Sequence, residues 1–150
     1  MPIFEILKSN NDLKKIIQSA FSTELDISGS WGYTQALSTI IHTTPLPLKE
    51  FEHIFASMRA YTEMNMTRPK EERYGSINLT EIAREREIQN NLIYDKVYYK
   101  ITAMKENMYA HFITQYKEHY GKETFDLSKH FKDRENATLT REVIHWFEIK

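Results

Sequence analysis

The chain has 150 residues, 41% of them hydrophobic and 27% charged, which is the composition of a globular domain and excludes a disordered or collagen-like chain. Twenty lysines and arginines oppose twenty-one aspartates and glutamates, and the net charge of -1 excludes the strongly basic surface of a protein that wraps nucleic acid. The lack of cysteine excludes disulfides, thiol catalysis and cysteine-ligated metal sites.

No part of the sequence predicts contact with a membrane. The longest apolar runs are far shorter than the roughly 18 residues that a membrane helix needs. The first residues, MPIFE, lack the basic start and apolar stretch of a signal peptide. We therefore expect a cytoplasmic protein with no membrane partner.

The first third of the chain predicts a helix and then a hairpin. Asn11 is suited to cap an amphipathic helix that continues to Phe21. Residues 24–28 alternate polar and apolar side chains, residues 29–32 are typical of a turn, and residues 33–42 are rich in Thr, Ile and Leu. We predict two strands joined by that turn, with the helix covering a sheet.

The middle of the chain predicts a second helix and a longer hairpin. Pro47 suits a first helical turn, and an apolar stripe continues from it to about residue 62. Residues 77–88 fit either a helix or a strand. We favour a strand, because residues 94–104 alternate as a strand that needs an antiparallel neighbour, with Asn90-Asn91 as the turn.

The last third predicts two helices and a closing strand. Residues 105–120 have helical periodicity and end at Gly121, which suits a left-handed cap, and Asp126 can cap a short helix. Residues 138–149 have apolar residues on both faces, as a central or well-covered strand does. Together these elements predict a single α+β domain over residues 1–150, with a mainly antiparallel sheet packed against about three helices.

The sequence contains no recognisable catalytic motif. The four glycines are scattered, so there is no phosphate-binding loop, and no serine lies in a nucleophile elbow. We expect no metal and no cofactor, because metal-ligand spacing is lacking among the six histidines, His42, His53, His111, His119, His130 and His145. One alternative remains, a small enzyme or ligand-binding domain in which Glu142 orients His145 as a general base in a pocket. A packed histidine in a closing strand is the competing interpretation.

Two further groups of residues fit a structural role. A charged run balances three acids against two bases, which is typical of a solvated face: Glu81, Arg84, Glu85, Arg86 and Glu87. The tyrosines between residues 94 and 120 could stack nucleic-acid bases, but no basic groove accompanies them. We interpret most of them as core and rim residues and expect no direct nucleic-acid partner.

One segment is not explained well by packing. Residues 17–47 contain no lysine or arginine, and they hold acidic, hydroxyl and aromatic side chains around the predicted turn: Glu24, Asp26, Ser30, Trp31 and Tyr33. Trp and Tyr among small polar residues are typical of protein-binding surfaces. We hypothesise that these residues bind another protein, with Glu50 and Glu52 as rim charges that speed encounter with a basic partner. Trp31 could instead fold back into the core, and the sequence leaves both possibilities open.

Three segments together carry a family resemblance. They are residues 25–33 (LDISGSWGY), 73–79 (RYGSINL) and 138–148 (TLTREVIHWFE). Their pattern resembles small cytoplasmic immunity proteins of bacterial polymorphic-toxin and contact-dependent growth inhibition systems. The resemblance implies a non-enzymatic, single-domain protein that binds a cognate toxin domain, such as a nuclease, and blocks its active site or substrate approach. These families share no diagnostic motif, so no functional residue is carried over.

Overall fold

The computed structural model describes residues 2–9 and 12–150, which form four α-helices and a five-stranded sheet. The helices are α1 (Leu13–Phe21), α2 (Leu48–Tyr61), α3 (Glu106–His119) and α4 (Leu127–Ala137). The strands are β1 (Ile27–Gly29), β2 (Thr39–Ile41), β3 (Tyr74–Gln89), β4 (Leu92–Lys105) and β5 (Leu139–Ile149). The predicted α+β class is confirmed. The predicted cap Asn11 lies outside the described residues.

The strand order in the sheet is β1-β2-β5-β4-β3. Neighbouring strands are antiparallel except β2 and β5, which pair in parallel through Thr39–Ile41 and Phe147–Ile149. The sheet is therefore mainly antiparallel, as predicted. β5 lies between β2 and β4, which confirms that the last strand is central.

The β3–β4 hairpin confirms the strand predicted for residues 77–88. Asn90 and Asn91 both have positive φ, 52° and 64°, as a two-residue hairpin turn requires. A register shift between Glu81 and Ala83 leaves Ile82 as an extra residue in a β-bulge. The periodicity of residues 77–88 is ambiguous by itself, and pairing with the long strand β4 determines that they form a strand.

The first hairpin is much shorter than predicted. β1 and β2 have three residues each, and the chain between them folds as a loop in which Gly32 N–H donates to the Leu37 carbonyl at 2.7 Å. The Gly32 carbonyl accepts from Trp146 N–H at 2.8 Å, which attaches this loop to β5. The predicted strand over residues 33–42 is therefore wrong for its first half, because contacts with β5 override its local β propensity.

Helices α1 and α2 cover one face of the sheet, here called the core face. Their apolar side chains pack with odd-numbered residues of β4 and β5 in a cluster that includes Leu13, Ile17, Phe51, Phe55, Val97, Tyr99 and Phe147. α3 and α4 pack on each other beside one end of the sheet, where Tyr109 and Arg134 line a cavity with Asn78 and Thr102. No helix in the described ranges is long and apolar enough to cross a membrane.

The opposite side of the sheet, here called the open face, carries the even-numbered residues of β4 and β5. They include Tyr94, Lys96, Tyr98, Lys100, Glu142, Ile144 and Trp146. Ile144 is 36% exposed, and the three aromatic side chains are half-buried. The sheet thus has one covered face and one face that meets solvent over its central strands.

Candidate protein-binding surface

Trp31 lies in the core, so its predicted role as an exposed partner contact is wrong. Its side chain is 1% exposed and stacks on Phe55 of α2, with ring centroids 5.8 Å apart. The next residue explains this placement, because Gly32 has φ of 84° and an added Cβ there would lie 2.1 Å from the His145 ring. The chain turns tightly against β5 at Gly32, and the preceding indole points inward.

The other predicted contact residues fall into two groups. Glu24, Asp26 and Glu50 are exposed, whereas Ser30 is half-buried. Tyr33 is also half-buried, and its hydroxyl donates a hydrogen bond to buried Glu63. Of these residues, the structure therefore leaves Glu24, Asp26 and Glu50 exposed on the surface.

Glu52 belongs to a buried ionic cluster, so its predicted role as a rim charge is wrong. It has no exposed surface, and Arg84 Nη1 lies 3.1 Å from its Oε1. Arg86 forms two hydrogen bonds to Asp95, at 2.8 and 3.1 Å. Burial, and next the neighbouring Asp95, raise the pKa of Glu52 to about 8. Burial also acts to raise the pKa of Asp95, but hydrogen bonds from Arg86 and Glu52 outweigh it and hold that pKa below its usual value.

The raised pKa of Glu52 predicts a pH-dependent stability. Between the unfolded pKa of 4.5 and about 8, the native state holds a proton that the unfolded chain has released. The free energy of unfolding should therefore decrease as pH rises, by up to about 1.4 kcal/mol for each pH unit. Burial lowers the pKa of His145, so this residue makes the free energy of unfolding increase with pH below about pH 6.5. Between about pH 6.5 and 8, the pH dependence of the free energy of unfolding therefore reports on Glu52.

Urea denaturation at several pH values in that interval measures this effect. We expect Glu52→Gln to flatten the pH dependence, whereas Glu50→Gln, on the exposed side of the same helix, leaves it unchanged. If the free energy of unfolding changed equally with pH in the native protein and in Glu52→Gln, Glu52 would be ionised at neutral pH.

The charged run in β3 is only partly the solvated face that its composition predicts. Arg84 is anchored by Glu81 as well as by Glu52, with Nη2 of Arg84 2.7 Å from Glu81 Oε1. Glu85 is exposed and Glu87 is half-buried, and both face the open side. The bulge and the alternation of the strand divide the run between the two faces of the sheet.

A second buried ionic cluster joins α2 to β5. Glu63 accepts hydrogen bonds from Tyr33 and Arg59, and its other oxygen lies 3.1 Å from Arg141 Nη1. Arg59 also donates to the Ile144 carbonyl at 3.0 Å. These contacts tie the loop, the helix and the strand together around the core. Every charge in the cluster has a partner of opposite sign.

His145 and Glu142 do not form the predicted catalytic arrangement. They lie on opposite faces of β5, with His145 fully buried and Glu142 exposed. The Nε2 atom of His145 lies 2.9 Å from the Thr39 hydroxyl, and its ring stacks on Phe147 at 4.1 Å. This is a packed core histidine. In the described part of the chain, no three His, Asp or Glu side chains come together as metal ligands.

The open face brings together Tyr94 and Tyr98, which the sequence interpretation assigned to core and rim packing, with Trp146 and Lys96. Trp146 lies edge-on to Tyr94 with ring centroids 6.4 Å apart, and Lys96 Nζ lies 5.1 Å from the Trp146 ring and 5.3 Å from Tyr98. Their even positions on two adjacent strands could have indicated this cluster. The sequence does not show which face the helices leave uncovered.

A cavity extends this surface towards β1 and β2. Its volume is about 510 Å³, and its walls include Tyr94 and Glu148 from the sheet. Ile6 and Lys8 of the N-terminal segment line one side, and Leu37 of the loop lines another. Ile6 and Leu37 are 65% and 46% exposed. The open face and this cavity together present aromatic, aliphatic and charged groups to solvent.

Comparison of the chain with protein-family models, with curated proteins and with solved structures found no match. The function is therefore argued from the residues and their geometry.

Proposed function

We propose that this protein is a non-enzymatic inhibitor that binds a cognate protein toxin, as the immunity proteins of bacterial polymorphic-toxin and contact-dependent growth inhibition systems do. The observation that carries the proposal is the open face, on which Tyr94, Tyr98 and Trp146 are half-buried beside a cavity, with no helix of the described ranges over them. Aromatic residues in such positions contribute most of the free energy of many protein–protein complexes.

The state of the ionisable groups supports a binding role over a catalytic one. The strongly shifted pKa values belong to buried, packed or paired residues such as Glu52, Tyr99 and His145. A catalytic site needs such groups to meet around a cavity that a substrate can enter. Among the described residues, Lys8 and Glu148 are the only charged ones that line the cavity of the open face. These features favour recognition of a surface.

The charge at the margin of the open face fits a basic partner, such as a nuclease toxin. Glu85 and Glu87 lie two residues apart on the edge strand β3, where Glu85 is exposed. Glu142 is exposed on β5, directly across from Lys100. Charges at the rim of an interface raise the association rate more than the affinity. The proposal includes a cytoplasmic location, and the lack of cysteine fits that reducing compartment.

A growth assay tests the proposal. The protein is co-expressed with the product of the neighbouring gene, and we expect protection of the cells from that product and co-purification of the two proteins. Trp146→Ala should lose most of the protection, whereas Tyr120→Ala should keep it, because Tyr120 is a 63% exposed aromatic residue at the end of α3. Full toxicity in the presence of the folded native protein would contradict the proposal.

A further inference from the structure

The outer edge of β3 has free backbone hydrogen-bonding groups. In an antiparallel pair, successive residues turn their N–H and C=O groups alternately towards the neighbour and away from it. The turn at Asn90 and Asn91 closes on the Gln89–Leu92 pair, so Glu85 and Glu87 bond to β4. Arg84, Arg86 and Ile88 therefore point their backbone groups outwards.

These outward groups have no partner elsewhere in residues 2–9 and 12–150. No hydrogen bond from another described segment reaches the backbone of Arg84, Arg86 or Ile88. The side-chain contacts of this kind lie further back along β3. His53 Nε2 is 3.1 Å from the Leu79 carbonyl, and Asn65 Nδ2 donates to the Tyr74 carbonyl at 2.9 Å. Beyond the bulge at Ile82, the edge is open to an added strand.

A second copy of this chain does not fit the edge. Two β3 strands paired antiparallel about a two-fold axis place residues of the same face opposite one another. On the open face this opposes Glu85 and Glu87. Like charges directly opposite each other destabilise a strand pair. The pattern therefore disfavours self-association along this edge.

The same pattern favours a basic strand from another protein. The charges of Arg84 and Arg86 are already neutralised by Glu81 and Asp95. On the open face, Lys96 is the one opposite charge near Glu85 and Glu87 among the described residues, and it lies directly across from Glu85 in the register. A paired strand with Lys or Arg at alternate positions would place those cations beside the two glutamates.

We propose that the edge of β3 from Arg84 to Ile88 binds an extended strand of a partner protein that carries basic residues at alternate positions. Main-chain hydrogen bonds supply affinity in such strand addition, and the alternate side chains supply specificity. The inference deepens the proposed function, on which it rests for the identity of the partner. Its test uses a peptide probe, so its failure is distinguishable from failure of the toxin complex.

The probe is a short, end-blocked peptide in which Lys alternates with Thr or Val, and the control peptide has Glu in place of Lys. Titration of the isotope-labelled full chain, followed by nuclear magnetic resonance, should show saturable binding of the lysine peptide. The amide signals of Arg84, Arg86 and Ile88 should shift most. No saturation up to millimolar peptide, or equal binding of the glutamate peptide, would overturn the proposal.

Two variants separate the backbone contribution from the side-chain contribution. Ile88→Pro removes one outward N–H without removing a bond to β4, and proline is tolerated in such edge positions. It should bind the lysine peptide about tenfold more weakly than Ile88→Ala, which keeps that N–H. Glu85→Lys with Glu87→Lys should reverse the preference between the two peptides. Equal affinity of the two Ile88 variants, or an unchanged preference, would overturn the proposal.

Discussion

Replacing Trp31 by alanine should lower the free energy of unfolding by about 3 to 5 kcal/mol, which is the usual cost of removing a large aromatic side chain from a packed core. The indole is 1% exposed and packs on Phe55, so its removal leaves a cavity between α2 and the sheet. Trp31→Phe should cost less, because the buried indole N–H has no hydrogen-bond acceptor among the described residues. Urea denaturation at neutral pH measures both losses.

The same variants distinguish a core role from a contact role. Trp31→Phe should retain the affinity of the native protein for the toxin, measured where the variant is fully folded. A large loss of affinity with little loss of stability would contradict the core assignment and restore Trp31 as a partner contact.

Replacing Glu63 by alanine should lower the free energy of unfolding by about 3 to 5 kcal/mol, because it leaves buried positive charge without a counter-ion. Glu63 is 1% exposed and interacts with Arg59, Arg141 and Tyr33, which lie on three different parts of the chain. Arg59 is itself buried and cannot move readily to solvent. The loss is measured by urea denaturation.

Glu71→Ala is the matched control, since Glu71 is exposed and makes no described ion pair. We expect it to change stability by less than about 0.5 kcal/mol. If Glu63→Ala and Glu71→Ala were equally mild, the Glu63 cluster would not hold the loop, α2 and β5 together.

Several elements of the fold could be predicted because their signals are local. The apolar spacing in α2 and α3, the Asp126 cap of α4 and the turn at Asn90 and Asn91 depend on residues near in sequence. Asp126 Oδ1 accepts from Lys129 N–H at 3.0 Å, and Gly121 has φ of 83°, as their positions predicted. Residues 77–88 are predictable as a strand because the alternating residues of β4 need an antiparallel neighbour.

The candidate surface could not be predicted in the same way. Whether an alternating strand presents its odd or its even residues to solvent depends on where the helices pack, which is a property of the tertiary structure. Trp31 and Glu52 have the residue types of an interface, but long-range contacts with Phe55 and with Arg84 bury them. The acidic residues Glu24, Asp26 and Glu50 remain exposed, and whether they contact the partner is still a prediction.

Calorimetric titration of the toxin domain with the native protein, Trp146→Ala and Tyr120→Ala tests the central claim most directly. If the open face binds the toxin, Trp146→Ala should raise the Kd at least about tenfold, and Tyr120→Ala should leave it unchanged. Both variants should unfold within a few degrees of the unfolding temperature of the native protein. A Kd for folded Trp146→Ala equal to that of the native protein would contradict the account.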